Sequence, residues 1–221
     1  MKHWVELINL IVKDHRRPCF TLEGEDVILQ SFLKKKGVYI NIGVGDPINN
    51  NSTYLLYKQG WKGYNIDPTP NTIKKLNFIR PKDVNLLGAV WIGDMQLDFF
   101  QFDNPFYNTF SRKIANNTGG EHKMISIERL DVHPLNYFTK DIKEQIDLLC
   151  VDINGFDGGI LLGNDWSLFK PRHILINTTE EITGHLLFLG YKLIALTKSK
   201  SLFSLYETEA TSEVSSYLCN R

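Results

Sequence analysis

The chain has 221 residues, 43% of them hydrophobic and 12% aromatic, with 25 Lys plus Arg against 25 Asp plus Glu. That is enough to bury a substantial core within one α/β domain over residues 1–221, and a formal net charge of zero offers no general attraction to nucleic acid or an anionic membrane. Three widely spaced cysteines, Cys19, Cys150 and Cys219, argue against a disulfide framework or a CxxC metal site, so no metal is expected.

Residues 3–14 read as a helix in which Trp4, Leu7, Ile8, Ile11 and Val12 form one apolar stripe. With Glu6 and Asn9 the segment is too short and too polar to span a membrane, and it lacks a small-residue cleavage site, so the expectation is a cytoplasmic protein. A stripe of this kind serves as core or as dimer contact, and a homodimer through this helix is a further expectation. Residues 25–35 read as a second helix, completing an N-terminal helical segment (1–36) ahead of an α/β core (37–207) and a loose Ser-rich tail (208–221). Within the core, strands are expected at 38–42, 64–66 and 83–90, with helices at 52–59 and 71–77. Residues 95–102 alternate, 104–120 form an irregular Asn-rich stretch, 124–129 an edge strand and 134–140 a short helix. Residues 146–151 end in an apolar run suited to a strand buried on both faces. A helix from Gly158 to Leu162, a strand at 173–177, a helix at 180–189 and an antiparallel pair at 191–196 and 201–207 complete the series. Alternating β and α elements predict a doubly wound, Rossmann-like, mostly parallel sheet with one antiparallel strand near the C-terminus.

Ligands of such sheets bind just past the carboxyl ends of the strands, which selects Asn41, Gly43, Gly45, Asp67, Val90, Asp152, Asn154 and Asn177. Gly43 and Gly45 form a GxG turn that brings bare backbone under a ligand, and Asp67 ends the second strand, where a carboxylate can accept both hydroxyl protons of a ribose. Pro68 and Thr69 would flank an adenine, with Ala89 and Val90 on its other face. Asp46 and Pro47 stand where a dinucleotide site would carry its third glycine, and an acid beside the turn opposes a pyrophosphate. S-adenosylmethionine has no phosphate and carries cationic groups, so the turn chemistry tilts towards methyl transfer and away from nicotinamide redox chemistry. Asp152 closes the most buried strand, where a carboxylate needs a partner or a cleft. Its place is by a methionine ammonium or a substrate hydroxyl, or in capping the next turn. Asp157 reads as a base or as the N-cap of its helix. Asn108, Thr109 and Phe110 lie in a loop able to close over cofactor or substrate.

These motifs resemble the FkbM-type S-adenosylmethionine-dependent methyltransferases. That family reads like VDIGANHP, then a Tyr-rich helix, then GWxGxNIDPNP; here the same places read INIGVGDP, TYLLYKQGWKG and YNIDPTP. GEDVIL (Gly24 to Leu29), RPKDVNL (Arg80 to Leu86), FDNPFYNTFS (Phe102 to Ser111) and the block from Ile146 to Asn177 are similar to further family segments, so the likeness runs from Gly24 to Tyr206. The resemblance implies a class I methyltransferase fold, S-adenosylmethionine as cofactor and a hydroxyl of a sugar or glycan as acceptor. Strand-end position and this likeness together make Asn41, Gly43, Gly45, Asp67, Pro68, Val90 and Asp152 the cofactor candidates, Asp152, Asn154 and Asp157 the catalytic candidates, and Asn108, Thr109 and Phe110 the substrate candidates. Three departures are of one kind: Asn41, Asn154 and Asn177 stand where the family has acids at strand ends facing one cleft. An amide keeps the shape but takes no proton at neutral pH, so a second expectation is an impaired relative that binds cofactor or glycan or supports a partner enzyme.

Overall fold

Strand β1 (Val38–Ile42) lies near the middle of the sheet in a computed structural model that describes residues 18–205, apart from 156 and 178. It pairs in parallel with β2 (Lys62–Asp67) on one side and β7 (Leu148–Val151) on the other. All four residues of β7 are buried, as its unbroken apolar sequence requires of a strand covered on both faces. The full order is β3-β2-β1-β7-β8-β10-β9, with β3 at Val84–Leu87, β8 at His173–Asn177, β9 at Lys192–Leu196 and β10 at Lys200–Ser204. Only β10 runs against its neighbours. This is the expected doubly wound α/β fold, mostly parallel with one antiparallel strand near the C-terminus.

Helices α1 (Glu25–Phe32), α2 (Tyr54–Lys58), α3 (Pro70–Ile79), α6 (Asp157–Leu162) and α7 (Glu180–Phe188) connect the strands of this sheet or pack beside it. Leu29 of α1 joins Tyr39, Leu148 and Leu175 in one buried cluster, and Ile40, Leu149, Ile174 and Leu186 of α7 belong to the other.

Three expectations need correction. The strand expected over 83–90 is two strands: at Gly88 the chain leaves the main sheet, and β4 (Ala89–Val90) pairs with β6 in a second sheet. A Cβ at Gly88 would lie 2.6 Å from the Phe138 ring, so the break needs a residue with no side chain. The edge strand expected at 124–129 is instead β6 (Met124–His133), the middle of that three-stranded sheet, flanked by β4 and by β5 (Met95–Phe102). The irregular stretch 104–120 contains a 3-10 turn at Pro105–Tyr107 and helix α4 (Arg112–Thr118), whose cap Ser111 accepts the Ile114 N–H. A short helix α5 (Leu135–Thr139) follows β6. The helix expected at 3–14, the dimer contact assigned to it and the tail 208–221 lie outside the described residues. No helix among the described residues is long and apolar enough to cross a membrane.

Candidate active site

After β1 the chain proceeds to β2 and β3 on one side of the sheet, and only later to β7 and β8 on the other. The crevice outside the carboxyl ends of β1 and β7 is therefore the switch point where such sheets take ligands. Gly43 and Asp152 meet there: Asp152 N–H donates to the Ile42 carbonyl at 3.0 Å, and a Cβ on Gly43 would stand 2.3 Å from the Asp152 carbonyl oxygen. Gly43 has φ +76° and Gly45 φ +63°, left-handed values that glycine adopts without strain. The sequence assigned Gly43 to the close approach of a ligand; in the fold, the backbone of the neighbouring strand already demands it.

Asp67 ends β2 and is only 4% exposed. Its Oδ2 accepts the N–H groups of Val44 (2.9 Å) and Gly45 (3.1 Å), and Oδ1 accepts that of Thr69 (2.8 Å). Burial raises its pKa above the ordinary carboxylate value, and these three N–H donors partly offset the rise. The Thr69 side chain also acts on this carboxylate, so most of its roughly four lone-pair positions are engaged within the protein. The carboxylate thus builds the glycine turn while lining the cavity over it.

A cavity of about 450 Å³ opens over this turn. Gly43, Gly45, Asp67, Pro68, Val90, Asn108, Thr109, Phe110, Asp152 and Asn154, all singled out from sequence, line it together. Asn41 does not. Its side chain donates to Thr53 Oγ1 (3.2 Å), within a buried network around Arg80. The Arg80 guanidinium, fully buried, donates to Thr53 Oγ1 (2.9 Å), Asn51 Oδ1 (2.7 Å) and the Pro47 carbonyl, fastening the chain segment after the glycine turn. Asp46, beside the turn, caps the same segment by accepting the N–H groups of Ile48 (2.9 Å) and Asn49 (2.7 Å).

The loop carrying Asn108–Phe110 is tied down from two sides. Thr109 exchanges both backbone hydrogen bonds with Phe100 of β5, and the Phe110 and Phe99 rings lie 4.7 Å apart. From the other side, Asn154 Nδ2 donates to the carbonyls of Phe106 (2.7 Å) and Asn108 (3.2 Å), while Thr109 Oγ1 donates to the Asn154 carbonyl (3.0 Å). Both partners of the Asn154 side chain are carbonyl oxygens, so only its amide NH₂ group fits there.

Asp152 and Asn154 also line a second, adjoining cavity of about 620 Å³, and there the structure brings in Asp157 and Asn177. Asn177 Nδ2 donates to Asp152 Oδ1 (3.1 Å) and Asp157 Oδ2 (3.3 Å), holding the two carboxylates on one amide. Asp157 Oδ1 accepts the Ile153 N–H at 2.8 Å. Burial, reinforced by the Asp152 charge and opposed by that N–H, pushes Asp157 up to about 7. Lys200, which the sequence reading did not single out, places Nζ 2.6 Å from Asp152 Oδ2 and 3.7 Å from Glu25 Oε1. Burial works against its cation and is the largest single influence, yet the Asp152 contact together with Cys150 and Glu25 outweighs it and lifts the pKa above the ordinary value. The three amides therefore do not share one cleft: Asn41 is in the core behind the turn, Asn154 between the cavities and Asn177 in the second. Leu22, Asn50, Phe99 and Phe106 also line the first cavity and had no signal in local sequence.

Among the described residues no group of three or more His, Cys, Asp or Glu converges as a metal site would. Cys150 is a buried residue of β7 whose thiol burial pushes up to about 12, in keeping with a core role.

A family model described as "Methyltransferase FkbM domain" matches residues 38–193. No curated protein matches. Among solved structures, a TehB-like SAM-dependent methyltransferase from Corynebacterium glutamicum is 12% identical, with 92% of this chain and 96% of that one covered at a TM-score of 0.43. A chain of the fibrillarin/Nop5p complex is 13% identical over 80% of this chain and 77% of that one, at a TM-score of 0.39.

Proposed function

The chain belongs to the FkbM methyltransferase family, and on that premise we propose that it transfers a methyl group from S-adenosylmethionine to a hydroxyl oxygen of a sugar or glycan. One observation carries the choice of cofactor. The Val44 and Gly45 N–H groups of the glycine turn are already taken by Asp67, so the bare donors a pyrophosphate needs are absent from this turn. The residues fit an adenosyl group: Pro68, Ala89, Val90 and Phe99 give apolar walls for a flat base, Asp67 places its carboxylate at the cavity wall for a ribose hydroxyl, and Asp152 offers a carboxylate to an ammonium. When bound, S-adenosylmethionine supplies an electrophilic methyl carbon whose bond to sulfur breaks, with its electron pair, as the acceptor oxygen takes the carbon.

The protein's part is positioning and removal of the hydroxyl proton. Asp152 lines both cavities and is fixed in place by the Lys200 ammonium at 2.6 Å, which suits it to orient the acceptor hydroxyl or the cofactor ammonium. Asp157, with a pKa of about 7, is the group whose basicity matches proton uptake at neutral pH. Asn154 holds the loop over the cavity; it has no proton to take or give at that pH. This same fact supports the second reading, a relative that binds cofactor without turnover.

Calorimetric titration with S-adenosylmethionine and S-adenosylhomocysteine, followed by a methyl-release assay over a glycan panel, separates the readings. Micromolar binding with turnover is expected. Binding with no turnover on any acceptor leaves the second reading, and no binding at millimolar ligand ends both. Asp67→Ala removes three turn contacts and a carboxylate from the cavity wall, so it should weaken binding at least tenfold, about 1.4 kcal/mol. An unchanged dissociation constant would remove Asp67 from the site.

A further inference from the structure

The second cavity adjoins the first across Asp152 and Asn154, so an acceptor whose hydroxyl sits at that junction has the rest of its body in the second cavity. At about 620 Å³ it has room for a sugar ring and its substituents. Among the described residues, its walls carry five carboxylates, Glu23, Glu25, Asp152, Asp157 and Glu181, against one cation, Lys200. The imbalance is four negative charges, or three with Asp157 protonated.

Lys200 does not reach far. Lys200 is held by Asp152 and Glu25 at 2.6 and 3.7 Å, and both ends of that contact are largely buried. Glu23 is engaged by the N–H and hydroxyl of Ser199 at 2.9 and 3.0 Å, and the Thr197 side chain, those Ser199 donors and the nearby Lys198 charge hold its pKa below the ordinary value, so it is the least available of the five. Glu181, on the first turn of α7, is exposed and has no ion-pair partner among the described residues. An anionic acceptor such as a uronate, sulfate or phosphate ester meets net repulsion here. A neutral polyol can form hydrogen bonds but leaves the excess charge in place, whereas an ammonium both donates hydrogen bonds and cancels charge.

Building on the methyl-transfer reading, we propose that the acceptor is a hydroxylated amine, a sugar or polyol bearing a protonated amino group, with its hydroxyl at the Asp152 junction and its ammonium in the second cavity within reach of Glu181. Asp157 supports this by position: it is 5% exposed, faces the same cavity, and is joined to Asp152 through Asn177.

Saturation-transfer NMR and calorimetry with D-glucosamine, D-glucose and D-glucuronate as probes test this, near pH 6.5 where an amine of this kind is protonated. Wild type and Glu181→Gln are compared with and without S-adenosylhomocysteine. Glucosamine should bind roughly tenfold more tightly than glucose and glucuronate not detectably, with the amine preference shrinking as salt is raised. Glu181→Gln should reduce that preference severalfold while leaving the affinity for S-adenosylhomocysteine unchanged. Equal binding of glucose and glucosamine, binding of glucuronate, a preference unaffected by Glu181→Gln, or no sugar binding at millimolar concentration would each overturn the inference. Amine-selective binding by a protein that takes no S-adenosylhomocysteine would instead sink the methyl-transfer reading and leave the ligand class of the cavity standing.

Discussion

Asn154→Asp puts a carboxylate where the resemblance implies an acid, and the structure fixes the direction of its effect. The native amide donates to the Phe106 and Asn108 carbonyls at 2.7 and 3.2 Å. An ionised carboxylate of the same shape has no proton to donate and turns an oxygen towards each of two carbonyl oxygens. Two lost hydrogen bonds at about 1 kcal/mol each, at a half-exposed site, amount to about 2 kcal/mol against loop closure before repulsion is added. That is roughly a thirtyfold shift towards the open loop. Two assays follow it: calorimetry with S-adenosylhomocysteine, and hydrogen exchange at the Phe100 and Thr109 amides, whose paired bonds hold the loop to β5. Affinity should fall about tenfold or more, both amides should exchange faster, and acidification through the carboxyl pKa should restore part of the affinity, since a protonated carboxyl regains one donor. Undiminished affinity with unchanged exchange, or a gain in methyl transfer, would refute the loop-clasp assignment.

Asp157→Asn should stabilise the fold and abolish methyl transfer. With a folded pKa of about 7 against an ordinary 3.8, Asp157 contributes stability that is fully present below pH about 4 and lost as pH rises to about 7, because the unfolded chain ionises first. Above pH 7 the amide removes an ionised buried charge worth at most about 4 kcal/mol, less the bond to Asn177, so its denaturation midpoint should exceed that of wild type at pH 8 and approach it at pH 4. Wild-type methyl transfer, in turn, should rise through pH about 7 as Asp157 ionises; a flat pH profile would remove it as the base. Gly43→Ala and Gly45→Ala each meet the left-handed cost of about 1–2 kcal/mol, but only at Gly43 would the new Cβ stand 2.3 Å from the Asp152 carbonyl oxygen, while Gly45 has nothing within 4 Å. Thermal unfolding should therefore show the larger loss for Gly43→Ala, and equal losses would contradict the strand-end clash.

By itself the sequence determined the strands of the main sheet and which residues meet at the first cavity. Apolar runs at 38–42 and 148–151, glycines at 43 and 45 and the acid at 67 are local signals. The rule that ligands bind beyond the strand ends converts them into one cleft without knowledge of any contact. Tertiary structure decided which partner each polar group takes. Gly88 diverts the chain into a second sheet because Phe138, 50 residues on, occupies the space of its missing side chain. Asn41 looks like a cleft residue by position, yet it turns to Thr53 because the buried Arg80 guanidinium has already organised the acceptors of that segment. Lys200 sits in a short strand with no motif around it, and its role exists only because β10 lies antiparallel beside β8 and brings its ammonium to Asp152, 48 residues away. Hydrogen bonds and ion pairs between distant residues depend on strand register and loop closure, which no local pattern encodes; backbone conformation and burial periodicity depend on neighbours in sequence, which is why the fold was legible and the wiring of the site was not.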